Sequence, residues 1–396
     1  MDSYDVVVVG GGPAGATAAE RLASEGRSVL LLDRAGRVKP CGGAVPPRLL
    51  QEFDVPESLL VNRVDTARIV SPRGRQVDIP VGRGFVGMVD REVFDEWLRA
   101  RADTAGAERR TGHFARLGER RGGQVEVHYR AGRSRQGPER SVRARYVIGC
   151  DGALSQVARQ ALPDAAAKAH HVFAYHEIIE SPADADERFA PARCDVHYDG
   201  VLSPDFYAWV FPHGPVTSVG TGSALQGFAM REAVSVLRSR LGLATLPTVR
   251  CEGAPIPMTT LPRWDNGRDV IVAGDAAGVV APSSGEGIYY AMASASFVAE
   301  AVAEALDTDD PRPLRRARRR FRRQHGNVFF VLSMMQRFWY SNDGRRERFV
   351  AICRDRDVQE LTFEGYMHKE LVAARPLAHA RIFFKNIGHL SGLVRA

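Results

Sequence analysis

The stretch YDVVVVGGGPAGATAAERLASEGRSVLLLDR, residues 4–34, constrains the fold more than any other part of the chain. The apolar run Val6 to Val9 predicts a buried strand, the glycines a tight turn, the Ala- and Leu-rich segment a helix, and Ser28 to Leu32 a second strand ending at Asp33. That order is a βαβ unit. Gly10, Gly12 and Gly15 have the GxGxxG spacing, in which the first glycine allows the bend, the second lets a pyrophosphate reach the backbone and the third packs helix on strand. The helix start then presents its N–H groups to the phosphates. Asp33, 23 residues after Gly10, stands where a carboxylate can accept hydrogen bonds from an adenosine ribose. A dinucleotide ligand is the expectation, and strand, helix, strand and acid in register outweigh a merely structural turn.

Whether that dinucleotide is nicotinamide or flavin turns on residues further along. RDVIVAGDAAGVVAPSSGEGIYYAMASASFVAEAVAEAL, residues 268–306, predicts a short strand ending at Gly274-Asp275, a turn of small residues, and Gly285-Glu286-Gly287 opening a long helix. RYVIGCDGALSQVAR, residues 145–159, adds Asp151 and Gly152 after another apolar strand, with Ser155 and Arg159 following. These motifs, in this order, resemble the flavoprotein family that includes aromatic hydroxylases and geranylgeranyl reductases. The resemblance implies FAD, with Asp275 on its ribityl chain, the helix after Gly285 and Gly287 pointing its positive end at the flavin pyrimidine, and Asp151-Gly152 as the family's DG motif. By itself Asp151 reads equally well as a turn residue capping a helix. MVDREVFDEWLRARA predicts a helix capped by Asp90, with Val93, Phe94, Trp97 and Leu98 on its buried side; Arg91 contacts FAD only by resemblance.

Residues 63–86 and 171–261 have a different rhythm, alternating apolar and polar residues between turn signals, as antiparallel strands do. They are expected to form one sheet over the flavin. SVGTGSALQG has Leu225 where a third glycine belongs, so it reads as a continuing strand of that sheet and no second nucleotide fold is predicted. NADPH, if it is the donor, docks transiently. In FYAWVFPHG, Tyr207, Trp209 and Phe211 share one face at period two. The residues alone leave open whether that face lines an apolar substrate cavity or is plain core.

KPCGGAVPPRLL follows the second strand and places Cys41 before Gly42 and Gly43, which reads as a tight turn with an inert thiol or as a thiol brought close to a ligand. With FYAWVFP, PSSGEGIYYA, MMQRFWY and YMHKELV it resembles, over essentially the whole chain, the geranylgeranyl reductases of bacteriochlorophyll and chlorophyll synthesis. That resemblance implies that Cys41, Gly42 and Gly43 border the isoalloxazine ring and that Cys41 is catalytic. Many relatives have Lys where His213 stands, so a positive charge there is not assured. The implied reaction saturates three isolated double bonds of a geranylgeranyl chain, borne by a pigment ester or as the free diphosphate, to give phytyl. An FAD-dependent aromatic monooxygenase and a non-catalytic prenyl-binding protein on the same fold are the alternatives; the intact flavin motifs weigh against the second.

The expected architecture is α/β: a Rossmann-like FAD-binding domain of the glutathione reductase and p-hydroxybenzoate hydroxylase type from residues 1–62, 87–170 and 262–310, an antiparallel-sheet substrate domain from 63–86 and 171–261, and a C-terminal helical region, 311–396. In that last region eight arginines fall between Arg312 and Arg323, and Leu314, Ala317, Phe321, Val328, Leu332, Met335 and Trp339 recur at helical spacing. Two readings stay open for 312–339, a helix packed on the flavin domain with solvated arginines and a peripheral membrane contact beside a lipid-like substrate. Nucleic acid is not expected, because the net charge of +7 comes with no recognition motif. The five cysteines are scattered without a CxxC, which argues against a disulfide framework and a metal site. The start does not resemble a signal peptide and no apolar run approaches the roughly 20 residues of a membrane span, so a cytoplasmic location, or a peripheral one on the photosynthetic membrane, is expected.

Overall fold

A computed structural model describes residues 1–34, 39–81, 84–359 and Lys369. YMHKELV and the remainder of the expected helical region beyond residue 359, Lys369 apart, lie outside the described residues. In chain order the elements begin with β1 (Ser3–Val9), α1 (Pro13–Ser24), β2 (Val29–Asp33), β3 (Ala44–Val45), α2 (Pro47–Glu52) and β4 (Leu60–Val64). There follow β5 (Thr66–Val70), β6 (Gln76–Pro80), β7 (Val86–Val89), α3 (Arg91–Thr104), β8 (Glu108–Arg121), β9 (Gln124–Ala131) and β10 (Glu139–Gly149). The middle of the chain gives α4 (Gln156–Ala161), α5 (Pro163–Ala166), β11 (His171–Glu180), β12 (Arg193–His197), β13 (Ala208–His213), β14 (Val216–Ser223) and α6 (Met230–Arg240). The last are β15 (Thr248–Pro257), β16 (Val270–Val272), α7 (Ile288–Thr308), α8 (Leu314–Trp339) and α9 (Asp343–Ile352).

The chain divides into two compact units. The first comprises Met1–Lys39, Arg91–His171 and Pro255–Gly326. Its sheet has β2, β1, β10 and β16 side by side and parallel, with β8 parallel to β2 on the outer side. Such strands are covered on both faces, which is why VVVV and VLLL run apolar without alternation and are almost fully buried. The long β8 continues past β2 into an antiparallel pairing with β9, which returns along the first half of β10. Gly274, just after β16, lies against both α1 and α7: a Cβ added there would stand 2.8 Å from the Cβ of Ala14 and 3.5 Å from that of Ala291.

The second unit comprises Pro40–Asp90, Val172–Ala254 and Asn327–Ala396. Its main sheet has seven strands in the order β15-β11-β14-β13-β12-β5-β6. Ala208 and Val210 of β13 join Ile179, Val219, Val234 and Leu237 in a core under α6, while Tyr207, Trp209 and Phe211 take the opposite face. One expectation is corrected here. The sheet is not purely antiparallel, because β12 runs parallel to β5. These strands are far apart in sequence, so no hairpin turn sets their direction. The one sheet expected from 63–86 and 171–261 is otherwise present, made of β5, β6 and β11 to β15; only at the edges of the first segment do Arg63, Val64 and Val86 belong instead to β4 and β7, which pair with β3 in a separate sheet of three strands. The SVGTGS segment is strand β14, as expected.

Candidate functional site

In the first unit the cofactor motifs sit at the carboxyl ends of neighbouring parallel strands. Val9 is in register with Gly149, and Gly149 with Val272, so the loops after β1, β10 and β16 leave the sheet at one level. Backbone bonds tie their starts together: Cys150 N donates to Val9 O at 2.7 Å and Ala273 N to Gly149 O at 3.0 Å. In open α/β sheets ligands bind at such strand ends.

The glycines divide by cause. Gly10 has φ +103°, and a Cβ there would overlap the Cys150 carbonyl group; one on Gly15 would overlap the carbonyl of Gly10. Those two are required by the protein's own packing. Gly12 is different, since a Cβ on it would meet nothing within 4 Å, yet it is the N-cap of α1 and no side chain caps that helix. An open glycine at an uncapped helix start is what a phosphate-bearing ligand needs, so these residues fit the pyrophosphate of FAD. Asp33 closes the turn, its carboxylate lying 2.8 Å from where a Gly11 Cβ would be.

Asp275 opens a 3-10 turn after β16 and is ion-paired with Lys39. Gly285 has φ +67°, and Gly287 is the N-cap of α7. Glu286 is buried and accepts from Tyr289 N at 3.0 Å, so a carboxylate already occupies one N–H of that helix start. Asp151 accepts from Ser155 Oγ, from Gln156 N at 2.6 Å and from Val157 N at 3.2 Å, while Ser155 Oγ accepts from Ala158 N at 2.8 Å. Its carboxylate thus holds the start of α4, and burial raises its pKa against those bonds. Gly152, at φ +89° and open, continues the turn. Arg91 is buried and holds Asp95 through two bonds of 2.9 and 2.8 Å. Val93 is exposed rather than buried, because α3 presents Phe94, Asp95, Leu98 and Ala102 inward.

Two cations at this site escaped sequence reasoning. Lys39 reaches Asp275, and Arg99 of α3 donates to the Gly11 carbonyl at 3.1 Å while lying 3.7 Å from Asp33. For Arg99 the only signal was its place one turn beyond Asp95 on α3.

In the second unit the Cys41 turn packs against the aromatic row. A Cβ on Gly42 would stand 3.1 Å from the Phe211 ring, and Gly43 N donates to Cys41 Sγ at 3.4 Å. Trp209 lies between Tyr207 and Phe211, with ring centroids 6.0 and 6.2 Å away. The Tyr207 hydroxyl is held well above its usual pKa, first by burial and then by the neighbouring Tyr340, Cys41 and Cys194. His213 accompanies the turn. Burial lowers its pKa, opposed by the backbone of Phe211 and Gly42, so the positive charge of a lysine at this position is not matched by a buried imidazole. Among the described residues no cluster of His, Cys, Asp and Glu could hold a metal ion.

Residues 4–180 match the pyridine nucleotide-disulphide oxidoreductase family and residues 216–384 the lycopene cyclase protein family. The solved structure of a geranylgeranyl bacteriochlorophyll reductase-like protein from Thermoplasma acidophilum superimposes with a TM-score of 0.80 at 23% identity, over 96% of this chain and 100% of that one. The flavin-dependent brominase Bmp2 does so with a TM-score of 0.74 at 16% identity, over 99% and 100%. Fold and strand-end motifs together define an FAD-dependent oxidoreductase. Among sequence relatives, geranylgeranyl diphosphate reductase of Rhodobacter capsulatus is 54% identical over 99% of this chain and 98% of its own. The Synechocystis enzyme of that name is 35% identical over 97% of each chain, and the chloroplastic one of Oryza sativa 36% identical over 97% of this chain and 86% of its own. The chain belongs to the geranylgeranyl diphosphate reductase family.

Proposed function

We propose that the protein uses FAD to reduce three of the four double bonds of a geranylgeranyl chain to phytyl, the chain being carried by a chlorophyll-type pigment or as the free diphosphate, in pigment biosynthesis. The observation that carries this reading is the packing of the Cys41 turn against Phe211, which puts a thiol beside a row of aromatic side chains suited to a polyprenyl chain. When bound, FAD in its reduced form supplies the hydride equivalent, and NADPH, docking transiently, is the proposed source of those electrons. The glycines at 10, 12, 15, 152, 285 and 287, with Asp33, Arg91, Asp151 and Asp275, hold the cofactor in this reading, and Gly42 and Gly43 let the Cys41 turn come close to its ring.

An isolated trisubstituted alkene accepts hydride poorly, so a proton must arrive at one alkene carbon as hydride reaches the other, with positive charge favoured at the more substituted carbon. Cys41 Sγ–H is the proposed donor, and the thiolate is reprotonated from solvent between turnovers. Tyr207, Trp209 and Phe211 orient the chain and exclude water. The chain must slide or rebind for each bond in turn.

The domain reading is likewise proposed: the first compact unit as the FAD-binding body, the seven-stranded sheet as the substrate body. Peripheral membrane contact is proposed through 312–339. No helix among the described residues is long and apolar enough to cross a membrane. In α8, Leu314, Ala317 and Phe321 are buried, and Arg316 and Arg320 pair with Glu304 and Glu300 of α7, so much of its first half is packed. Phe330, Val331 and Met334 are exposed further along the same helix, as a surface helix inserting into a headgroup layer needs.

The deciding experiment is an anaerobic assay offering geranylgeranyl diphosphate and the geranylgeranyl pigment ester, with mass analysis of the chain. Stepwise gain of two, four and six hydrogens is expected. Substrate-stimulated oxygen consumption with a hydroxylated product would replace this reading by a monooxygenase.

A further inference from the structure

Strands β11, β14 and β13 lie side by side, and their register sets His176, Gly220 and Trp209 in one row across the sheet. Gly220 lets the two rings close over it: a Cβ there would stand 2.6 Å from Trp209 Cε2 and 2.6 Å from His176 Cβ. Two residues back on β14, and so on the same face, Ser218 is fully buried. Its Oγ lies 3.0 Å from Trp209 Nε1 and 2.8 Å from His176 Nδ1. The other ring nitrogen, Nε2, lies 3.1 Å from Glu252 Oε2, on the neighbouring strand β15.

Donors and acceptors order this chain of contacts. An indole N–H only donates, so Ser218 Oγ accepts from Trp209. Every polar atom is then matched when the Ser218 hydroxyl donates to Nδ1 and Nε2–H donates to the Glu252 carboxylate. The His176 bond is the main reason why the Glu252 carboxyl lies below the usual range, burial opposing it and Arg250, 3.0 Å away, adding to it. A buried indole N–H usually finds a hydrogen-bond partner, but that partner need not itself be held in place. Here the ring lies directly on Gly220, and the partner of its N–H, Ser218, is held in turn by a chain of hydrogen bonds that ends in a charge.

We infer that Glu252, His176 and Ser218 are positioning residues that fix the angle of the Trp209 ring and thereby set which double bond of the polyprenyl chain is presented for reduction. The inference rests on the reading above that the aromatic row faces the substrate. A planar alkene unit and the tetrahedral unit left by its reduction differ in shape, so a ring face at one fixed angle discriminates between them, whereas a ring free to rock does not.

The test uses FAD-loaded protein, geranylgeranyl diphosphate and mass analysis of the products with two, four and six added hydrogens. Ser218→Ala and His176→Phe are expected to raise the ratio of partly to fully reduced chains about 10-fold, the loss of roughly one buried hydrogen bond. FAD affinity should stay native, and Ser218→Thr should restore the native ratio. If Ser218→Ala fails to fold, Ser218→Thr against Ser218→Val, two residues of equal shape, makes the same comparison. Native product ratios in Ser218→Ala or Ser218→Val, with Trp209→Phe altered, overturn the relay and leave the substrate-facing row standing. Native ratios and rates in Trp209→Phe overturn the row itself, and the relay with it.

Discussion

Gly43 packs directly against His213: at φ +69°, Gly43 turns the backbone so that a Cβ on it would stand 2.6 Å from His213 Nε2 and 2.7 Å from the Val89 carbonyl oxygen. Gly43→Ala therefore meets both a left-handed backbone and a filled site. The strain of the left-handed conformation alone costs about 1 kcal/mol or more, and displacement of His213 or of the turn adds to it. Denaturant titration should show a loss of about 1–3 kcal/mol. Unchanged stability would mean that the turn yields freely.

Asp275 and Lys39 form an ion pair in the flavin unit, with the carboxylate nearly buried. If Asp275 accepts hydrogen bonds from the cofactor, Asp275→Ala should weaken FAD binding by about 10- to 100-fold. Fluorescence titration of the apoprotein with FAD measures it. Lys39 is more exposed, so Lys39→Met should cost less. Native FAD affinity in Asp275→Ala would remove that residue from the cofactor's contacts.

Cys41→Ala should leave FAD bound and slow the anaerobic reoxidation of reduced flavin by geranylgeranyl diphosphate by about 10²-fold, the usual contribution of a general acid. Cys41→Ser should fall on the same side, because a hydroxyl is a far weaker acid than a thiol. Flavin reduction by NADPH requires no alkene proton and should be much less affected. A native single-turnover rate in Cys41→Ala would make the thiol a packing residue.

His197 is buried in the substrate unit, and its Nε2 has no hydrogen-bond partner among the described residues. Burial is the main cause that lowers its pKa from 6.5 to about 4, with Asp199 opposing and Arg240, Arg193 and Arg68 adding to it. Between those values the unfolded chain binds a proton that the folded chain refuses, so stability rises with pH across that window. The contribution is fully present above pH 6.5 and is lost as pH falls to about 4, at most about 3 kcal/mol. His197→Gln should flatten the pH dependence of the melting temperature between pH 6.5 and 4. An unchanged slope would assign acid sensitivity to other groups.

Vesicle flotation examines the membrane proposal. Anionic vesicles should retain the protein at low salt and release it as salt rises, since each arginine near such a surface contributes about 1 kcal/mol that screening removes. Phe330→Ser with Met334→Ser should reduce retention. Equal recovery with neutral and anionic vesicles would support a helix that is only packed.

Local order carried a good part of this molecule. The βαβ start, the roles of Gly10 and Gly15, the strand at 216–223 and the shared face of Tyr207, Trp209 and Phe211 all follow from residue spacing, because strand and helix periods and glycine's φ range are properties of neighbouring residues. Family resemblance brought the flavin motifs together before any strand was placed. What the spacing could not carry was the pairing of distant segments. The parallel contact of β12 with β5, the separate sheet of β3, β7 and β4, the reach of Arg99 to Gly11 and of Lys39 to Asp275, and the chain from Glu252 through His176 and Ser218 to Trp209 each join residues far apart in sequence. Strand order and register decide those meetings, and they are set by how whole faces bury against one another, which no short window of sequence contains.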